Sequence, residues 1–421
     1  MGFRRYYIYY AINNVSSRKG AGVMRIGFLF NHDQIHQVAH SLPIAIALAK
    51  SGFPGEILVA TTNDRLAAEV RRLAGECLSS RIQHVQLALS SRSGTIARLL
   101  GNILPAAKLL AYRDNLDFFR TLDMLVVAEK TSLLLKSRYG LTNLFMVHTR
   151  HGAGDRAIGF DEASAGFDHI LCSGDKVRRR LISEAQVDPE KISIVGYPKF
   201  DMLRHGARTR RAGAERPVIL YNPHCSPHLS SWYRHGREVL EHFRHADSHE
   251  LIFAPHVMLF ERPFVVAIDK LSVQRPGTID DRYLHGGNIQ IDLGSRSSTD
   301  MSYTMAADMY LGDASSQVYE FLMHPRPCIF LNSHGIAWRG NPNFAHWQAG
   351  EVISSPTELD NALDRAGEMH QSYYRAVQEK LFADSFDLDG RPSSERAAEV
   401  ITALGDRLRP ARRPLAVVRA A

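Results

Sequence analysis

The residues best suited to chemistry stand in turns that follow short apolar runs. Asn31-His32-Asp33, His151-Gly152, Asn222-Pro223-His224, Pro255-His256, Asp292-Leu293-Gly294-Ser295 and Asp313-Ala314-Ser315-Ser316 each place an imidazole, a carboxylate or a hydroxyl at such a point. The last of these belongs to the most complete unit. Asp308 to Leu311 reads as a strand and Gly312-Asp313-Ala314 as a turn. Ser315 or Ser316 then caps a helix through Met323, because a serine oxygen accepts from an orphan amide of the first turn. Pro325 and Pro327 end that helix, and Cys328 to Leu331 is short and apolar enough for a buried parallel strand. Free amides at a helix start, with two hydroxyls beside them, suit a phosphate. An ordinary α/β unit with a serine cap has the same pattern.

Holding six such turns together takes repeated strand–helix units. Strands are expected over 24–30, 56–61, 82–87, 124–128, 144–149, 169–173 and 192–195, with helices between them. Pro105 should split the helical stretch 93–122. A second series follows: strands at 218–221, 251–254, 289–291, 308–311 and 328–331, with helices over 231–245, 262–270, 298–307, 315–323, 357–365 and 369–381. This alternation predicts mostly parallel sheets and an α/β fold of two doubly wound, Rossmann-like domains facing each other across a cleft. Ligands in open α/β sheets bind at the carboxyl ends of the strands, where these turns stand. The expected organisation is an N-terminal extension, 1–23, without fixed structure; an acceptor-side domain, 24–205; a linker rich in Arg, Gly and Ala, 206–216; a donor-binding domain, 217–390; a terminal helix, 391–408; and a loose Arg/Pro tail, 409–421.

A chain of 421 residues exceeds what one core supports, which agrees with two domains. Its net charge of +7 and pI near 9.2 come mainly from arginine, clustered at Arg178-Arg179-Arg180, Arg208 to Arg211 and Arg407 to Arg413. Such a surplus fits an anionic substrate, an anionic membrane face or nucleic acid. No aromatic-basic, zinc-finger or basic-zipper pattern supports nucleic acid, so none is expected as a partner. The four cysteines are far apart without metal-type pairing, and Cys172 and Cys328 lie in apolar runs, as buried thiols of a reducing compartment do. No apolar run approaches the roughly 20 residues that span a bilayer. The segment before Met24 is too rich in tyrosine for a secretory signal. A cytoplasmic protein is expected, with its basic clusters available for peripheral attachment to the inner face of the membrane.

Five of these motifs, in order, resemble the CDP-glycerol glycerophosphotransferase family, the teichoic-acid polymerase type of the GT-B architecture. His151-Gly152 is similar to that family's His-Gly, and Gly196-Tyr197-Pro198-Lys199-Phe200-Asp201 to its Gly-x-Pro-Arg-x-Asp. His256 stands where the family has a histidine after a strand. Asp313-Ala314-Ser315-Ser316, with Tyr319-Glu320, resembles its Asp-Tyr-Ser-Ser turn and later Phe-Asp. Asp389-Gly390-Arg391-Pro392-Ser393-Ser394-Glu395-Arg396 is close to its late Asp-Gly-x-x-Ser-Glu-Arg. The likeness spans about 144–404. The family's Thr-Pro-x-Lys is replaced by Ala153-Gly154-Asp155-Arg156, and its Pro-Thr-x-Arg turn by Pro223-His224-Cys225-Ser226.

The resemblance implies a transferase in which an acceptor hydroxyl attacks the β-phosphorus of a CDP-linked alcohol and CMP leaves. Such chemistry depends on positioning and placed charge. His151 would be the general base, its imidazole suited near pH 7 to take a hydroxyl proton, and Gly152 would let the backbone pass close to the phosphates. His256 would donate to a phosphate or protonate the leaving group; the alternative for either histidine is a loop-capping role. Ser315 and Ser316 would hold the pyrophosphate, and Glu320 would accept from ribose hydroxyls. Asp313 would orient a histidine or close an Asx-turn. Arg156 and Lys199 are candidates to counter the donor's or acceptor's phosphate. The implied partners are CDP-glycerol or a related nucleotide-activated polyol or sugar as donor, and a cell-surface glycan or lipid-linked acceptor. No cofactor and no metal are expected: Asp280-Asp281 falls in a loop, and His242, His245 and His249 read as a solvated helix end. Neither a P-loop nor a dinucleotide fingerprint follows the first strand. A nucleotide-sugar-dependent GT-B glycosyltransferase, a UDP-sugar 2-epimerase-like enzyme and a non-catalytic GT-B-like scaffold are the alternatives.

Overall fold

The computed structural model describes residues 23–31, 35–100, 106–150, 152–203, 216–267, 272–284 and 287–408. His32, Asp33, Pro105, His151, the segment 1–22, residues 206–215 of the expected linker and the Arg/Pro tail lie outside the described residues.

The first half supplies strands β1 (Arg25–Phe30), β2 (Glu56–Thr61), β3 (Ile82–Gln86), β4 (Met124–Val127), β5 (Phe145–His148), β6 (His169–Cys172) and β7 (Ile192–Ile194). They form one sheet in the order β3-β2-β1-β4-β5-β6-β7, and every pairing is parallel. Helices cover both faces, so the strands read as unbroken apolar runs; β4 is buried at every position. Asn63 accepts from Leu66 N–H at 2.9 Å and starts the helix Asp64–Ala74.

The second half continues with β8 (Val218–Asn222), β9 (Glu250–Phe253), an antiparallel hairpin of β10 (Val265–Ala267) and β11 (Ser272–Gln274), then β12 (Ile289–Ile291), β13 (Met309–Gly312), β14 (Cys328–Leu331) and β15 (Glu351–Ile353). Its parallel sheet has the order β12-β9-β8-β13-β14-β15. In both sheets the order reverses beside the first strand, which makes the β1/β4 and β8/β13 edges the switch points of doubly wound folds.

Three expected helices differ. Within the stretch expected as a helix over 262–270, residues 265–267 enter the hairpin instead, where the adjacent β-branched Val265 and Val266 suit an extended backbone better than a helix, and 268–270 lie outside the described residues. The stretch 298–307 is interrupted at Met301, whose φ of 73° stops a regular helix, leaving only Ser302–Ala306. The helix expected over 315–323 is confined to Gln317–Phe321.

The final helix, Ser393–Leu408, does not pack on the second sheet. Ala397, Ile401 and Leu404 join Met24, Val38 and Leu42 in the core of the first lobe. The late Asp-Gly-Arg-Pro-Ser-Ser-Glu-Arg motif is where the chain returns. Asp201 accepts from the Ser393 and Ser394 N–H groups at 3.2 and 2.6 Å and so caps that helix, while Ser393 Oγ accepts from Tyr197 N–H at 2.9 Å. A side chain at Gly196 would collide with Ser393 Oγ, and its φ of +82° favours glycine in any case. Two of the five family-like motifs are therefore built against each other.

Candidate active site

The second sheet's switch crevice is lined by three turns. β8 ends in Asn222 and passes into Pro223-His224, β13 ends in Gly312 and passes into Asp313 to Ser316, and β9 leads to His256. The carboxylate of Asp313 binds these turns together. It is fully buried and accepts from His224 N–H (2.8 Å), Ser231 N–H (2.6 Å), Ser231 Oγ (2.8 Å) and Ala314 N–H (2.6 Å). Burial pushes its carboxyl up from the usual range, against the pull of these donors. Its carbonyl accepts from His346 Nε2 at 2.9 Å and Trp347 Nε1 at 2.8 Å. Asp313, expected to orient a histidine or close an Asx-turn, holds the His224 loop through these bonds.

Of the paired serines, Ser315 is buried, and its oxygen accepts from Gln317 N–H at 3.3 Å, within its own turn. Ser316 is exposed. From the other lobe, the loop after β5 comes directly over it. A Cβ placed on Gly152, whose φ is +80°, would lie 3.5 Å from Ser316 Oγ; one on Gly154 would lie 2.9 Å from Ser316 Cβ. Only glycine allows the approach at Gly154, and Gly152 is needed for the left-handed backbone as well.

Buried groups hold this loop down. Asp155 accepts from Lys176 Nζ at 2.8 Å, from Tyr319 OH at 2.7 Å, and from both the N–H and Nδ1 of His346 at 2.9 Å. Burial alone would raise its carboxyl, but Lys176 and His346 hold it well below the usual carboxylate range. Lys176 also donates to Ala153 O at 3.1 Å and lies 3.7 Å from the centre of the Tyr319 ring. Arg180 donates to Asp155 O at 2.6 Å and to Asn343 Oδ1 at 2.8 Å. The Arg178–Arg180 cluster thus contributes partly to the interior: Arg180 is buried, and Arg179 pairs with Asp384 at 2.7 Å.

Glu320 and Lys199, expected at ribose and phosphate, are committed to each other. Their ion pair is 2.7 Å long, the residues are 6% and 5% exposed, and Tyr197 OH adds a second contact to Glu320 Oε1 at 3.1 Å. A lysine buried without its carboxylate would be costly, so neither can turn to a ligand without stranding the other. They tie the Gly-Tyr-Pro-Lys turn of one lobe to the Gln317–Phe321 helix of the other.

Arg156 and His256 gather around His224. Arg156 Nη1 lies 3.1 Å from Nε2 of His224, whose ring centre is 5.4 Å from that of His256. Met258 N–H donates to His256 Nδ1 at 3.3 Å, and Ser226 N–H to His224 Nδ1 at 2.9 Å. An amide can only donate, so it fixes Nδ1 as the acceptor and puts the neutral ring's proton on Nε2. Burial, then the nearby Arg156 charge, lowers His256 to about 4 and holds His224 well below the ordinary histidine range. His224 was missed as a site residue, although its turn was noted; its place directly after β8 was the available signal. Asp155, Lys176 and His346 left no such trace, because their partners are remote in sequence. Elsewhere, His242 faces Asp360 at 3.7 Å, His245 pairs with Glu241 at 3.0 Å and His249 contacts Ser248 at 2.8 Å.

No protein-family model matches the chain, and no curated protein matches it. Solved structures do. The wall teichoic acid polymerase TagF is 13% identical with a TM-score of 0.55, covering 91% of this chain and 88% of that one. A TagF variant with asparagine in place of a histidine, soaked with CDPG, is 15% identical over the same shares, with a TM-score of 0.55. A Listeria monocytogenes protein assigned as a UDP-N-acetylglucosamine 2-epimerase is 13% identical, with a TM-score of 0.54 over 92% and 99% of the two chains. The chain has the two-lobed, Rossmann-like GT-B architecture.

Proposed function

We propose that the protein is a transferase that uses a nucleotide-diphosphate-linked donor. In its most concrete form it moves a polyol phosphate from CDP-glycerol or a relative to a cell-surface glycan or lipid-linked acceptor. The observation that carries this is the approach of Gly152 and Gly154 to Ser316, which brings the loop of one lobe against the hydroxyl-bearing turn at the other lobe's switch point. An acceptor oxygen bonds to the β-phosphorus, the bond from that phosphorus to the bridging oxygen breaks, and CMP departs with the bridging oxygen on its α-phosphate. His151, beside Gly152, takes the acceptor's proton. His256, held neutral, donates a hydrogen bond to phosphate oxygen without surrendering its proton, and Ser316 supplies another donor. The likeness to a TagF variant soaked with CDPG supports testing a CDP-linked donor first.

The Listeria protein, matched as well in fold, supports a nucleotide-sugar donor as the second reading. Offering CDP-glycerol, CDP-ribitol and UDP-sugars with a lipid-linked acceptor separates the two: CMP release supports the first and UDP release the second. His151→Ala is expected to lower kcat at least about a hundredfold with donor affinity nearly intact. Near-normal turnover in that variant would remove His151 from the mechanism.

A further inference from the structure

We infer that Arg156 and His224, contributed by opposite lobes, form a two-point seat for a single phosphoryl oxyanion. The argument starts from proton count. A neutral imidazole has one acceptor nitrogen, and in His224 the Ser226 amide occupies it at 2.9 Å. Nε2 therefore carries a proton and faces a second donor, the Arg156 guanidinium, at 3.1 Å. The other tautomer only moves the conflict to Ser226. A donor-to-donor contact is resolved when one oxygen accepts from both groups, and an anionic oxygen does so best. Among the described residues Arg156 has no carboxylate partner, while His224 is 4% exposed and its loop is fixed by Asp313. One arm of the seat is thus rigid and the other, half-buried, can adjust. Both residues fall where this chain departs from the family-like pattern, so the seat is a feature of this chain.

The transferase reading bears only on the source of the oxyanion, either a donor diphosphate or an acceptor phosphate. Calorimetric titration of the full chain with inorganic pyrophosphate and, separately, glycerol phosphate distinguishes them. The parent is expected to bind at least one. Arg156→Gln and His224→Gln, the latter offering Arg156 an amide oxygen, should each weaken that binding at least tenfold. Arg156→Lys, which keeps the charge and spares the fold, should retain part of it. A parent that binds neither anion, or glutamine variants that bind as the parent does, would overturn the seat. Pyrophosphate binding without CMP or UDP release overturns the transferase reading alone. Turnover with unchanged anion binding in both glutamine variants overturns the seat alone.

Discussion

At the scale of single residues, the site is distinguished by two imidazoles kept neutral, those of His224 and His256. His256 is lowered to about 4 and His224 is held well below its ordinary value, by burial and then by Arg156; His256, His228 and His346 also oppose a charge on His224. In the unfolded chain both rings take up a proton near pH 6.5. Below that value the unfolded state binds more protons than the folded one, so stability is lost as pH falls from about 6.5 toward 4. Melting temperatures measured between pH 7.5 and 5 should decline, and His256→Asn should flatten the slope; equal slopes would contradict this assignment. The same environment separates what could be read in the sequence from what could not. A histidine after a strand was visible, but its protonation depends on burial and then on Arg156, 68 positions before His224 in the chain. Glu320 and Lys199 were visible as chemically able residues, yet their pairing at 2.7 Å across 121 positions was not.

At the scale of elements, strands were the most legible parts because a strand buried on both faces must be an apolar run. Short helices were least legible. Gln317–Phe321 and Ser302–Ala306 are too brief to show a period, and their ends depend on Pro325 and on the backbone at Met301. The strand Glu351–Ile353 and the preceding turn Pro342–Ala349 were not anticipated, although that turn brings His346 to Asp155 and Asp313. The loop at Gly152 to Arg156 is consequently shaped by ion pairing more than by local propensity. Asp155→Asn keeps the side chain's shape but leaves Lys176, which is itself buried, without its anion. Breaking a buried pair by removing one partner costs about 3 kcal/mol or more. Urea unfolding should show a loss of that size, and a loss below about 1 kcal/mol, the value of an exposed pair, would refute the assignment of the loop anchor.

At the scale of the molecule, the two sheets are bridged at several separate places. Asp155 meets Tyr319 and His346, Lys199 meets Glu320, and Arg180 meets Asn343. Ser173 Oγ donates to Ser385 O at 2.8 Å, and Asp201 caps the returning helix. A hinge needs a few residues to absorb rotation while the rest of the interface parts freely. Here opening would strand a buried lysine and a buried carboxylate in the Lys199–Glu320 pair, and would take Tyr319 and His346 away from the buried Asp155 carboxylate. Ligand entry is thus expected to rearrange side chains at the crevice, Arg156 first, with the lobes nearly fixed. Small-angle scattering with and without saturating CDP should then give radii of gyration within about 1 Å of each other, against roughly 22 Å for a compact chain of this length. Lys199→Met, which strands Glu320, should increase the difference by loosening one bridge. A contraction of several ångströms in the parent would show that the bridges break and re-form in each cycle, and the loop at Gly152 would then meet Ser316 only in the closed state.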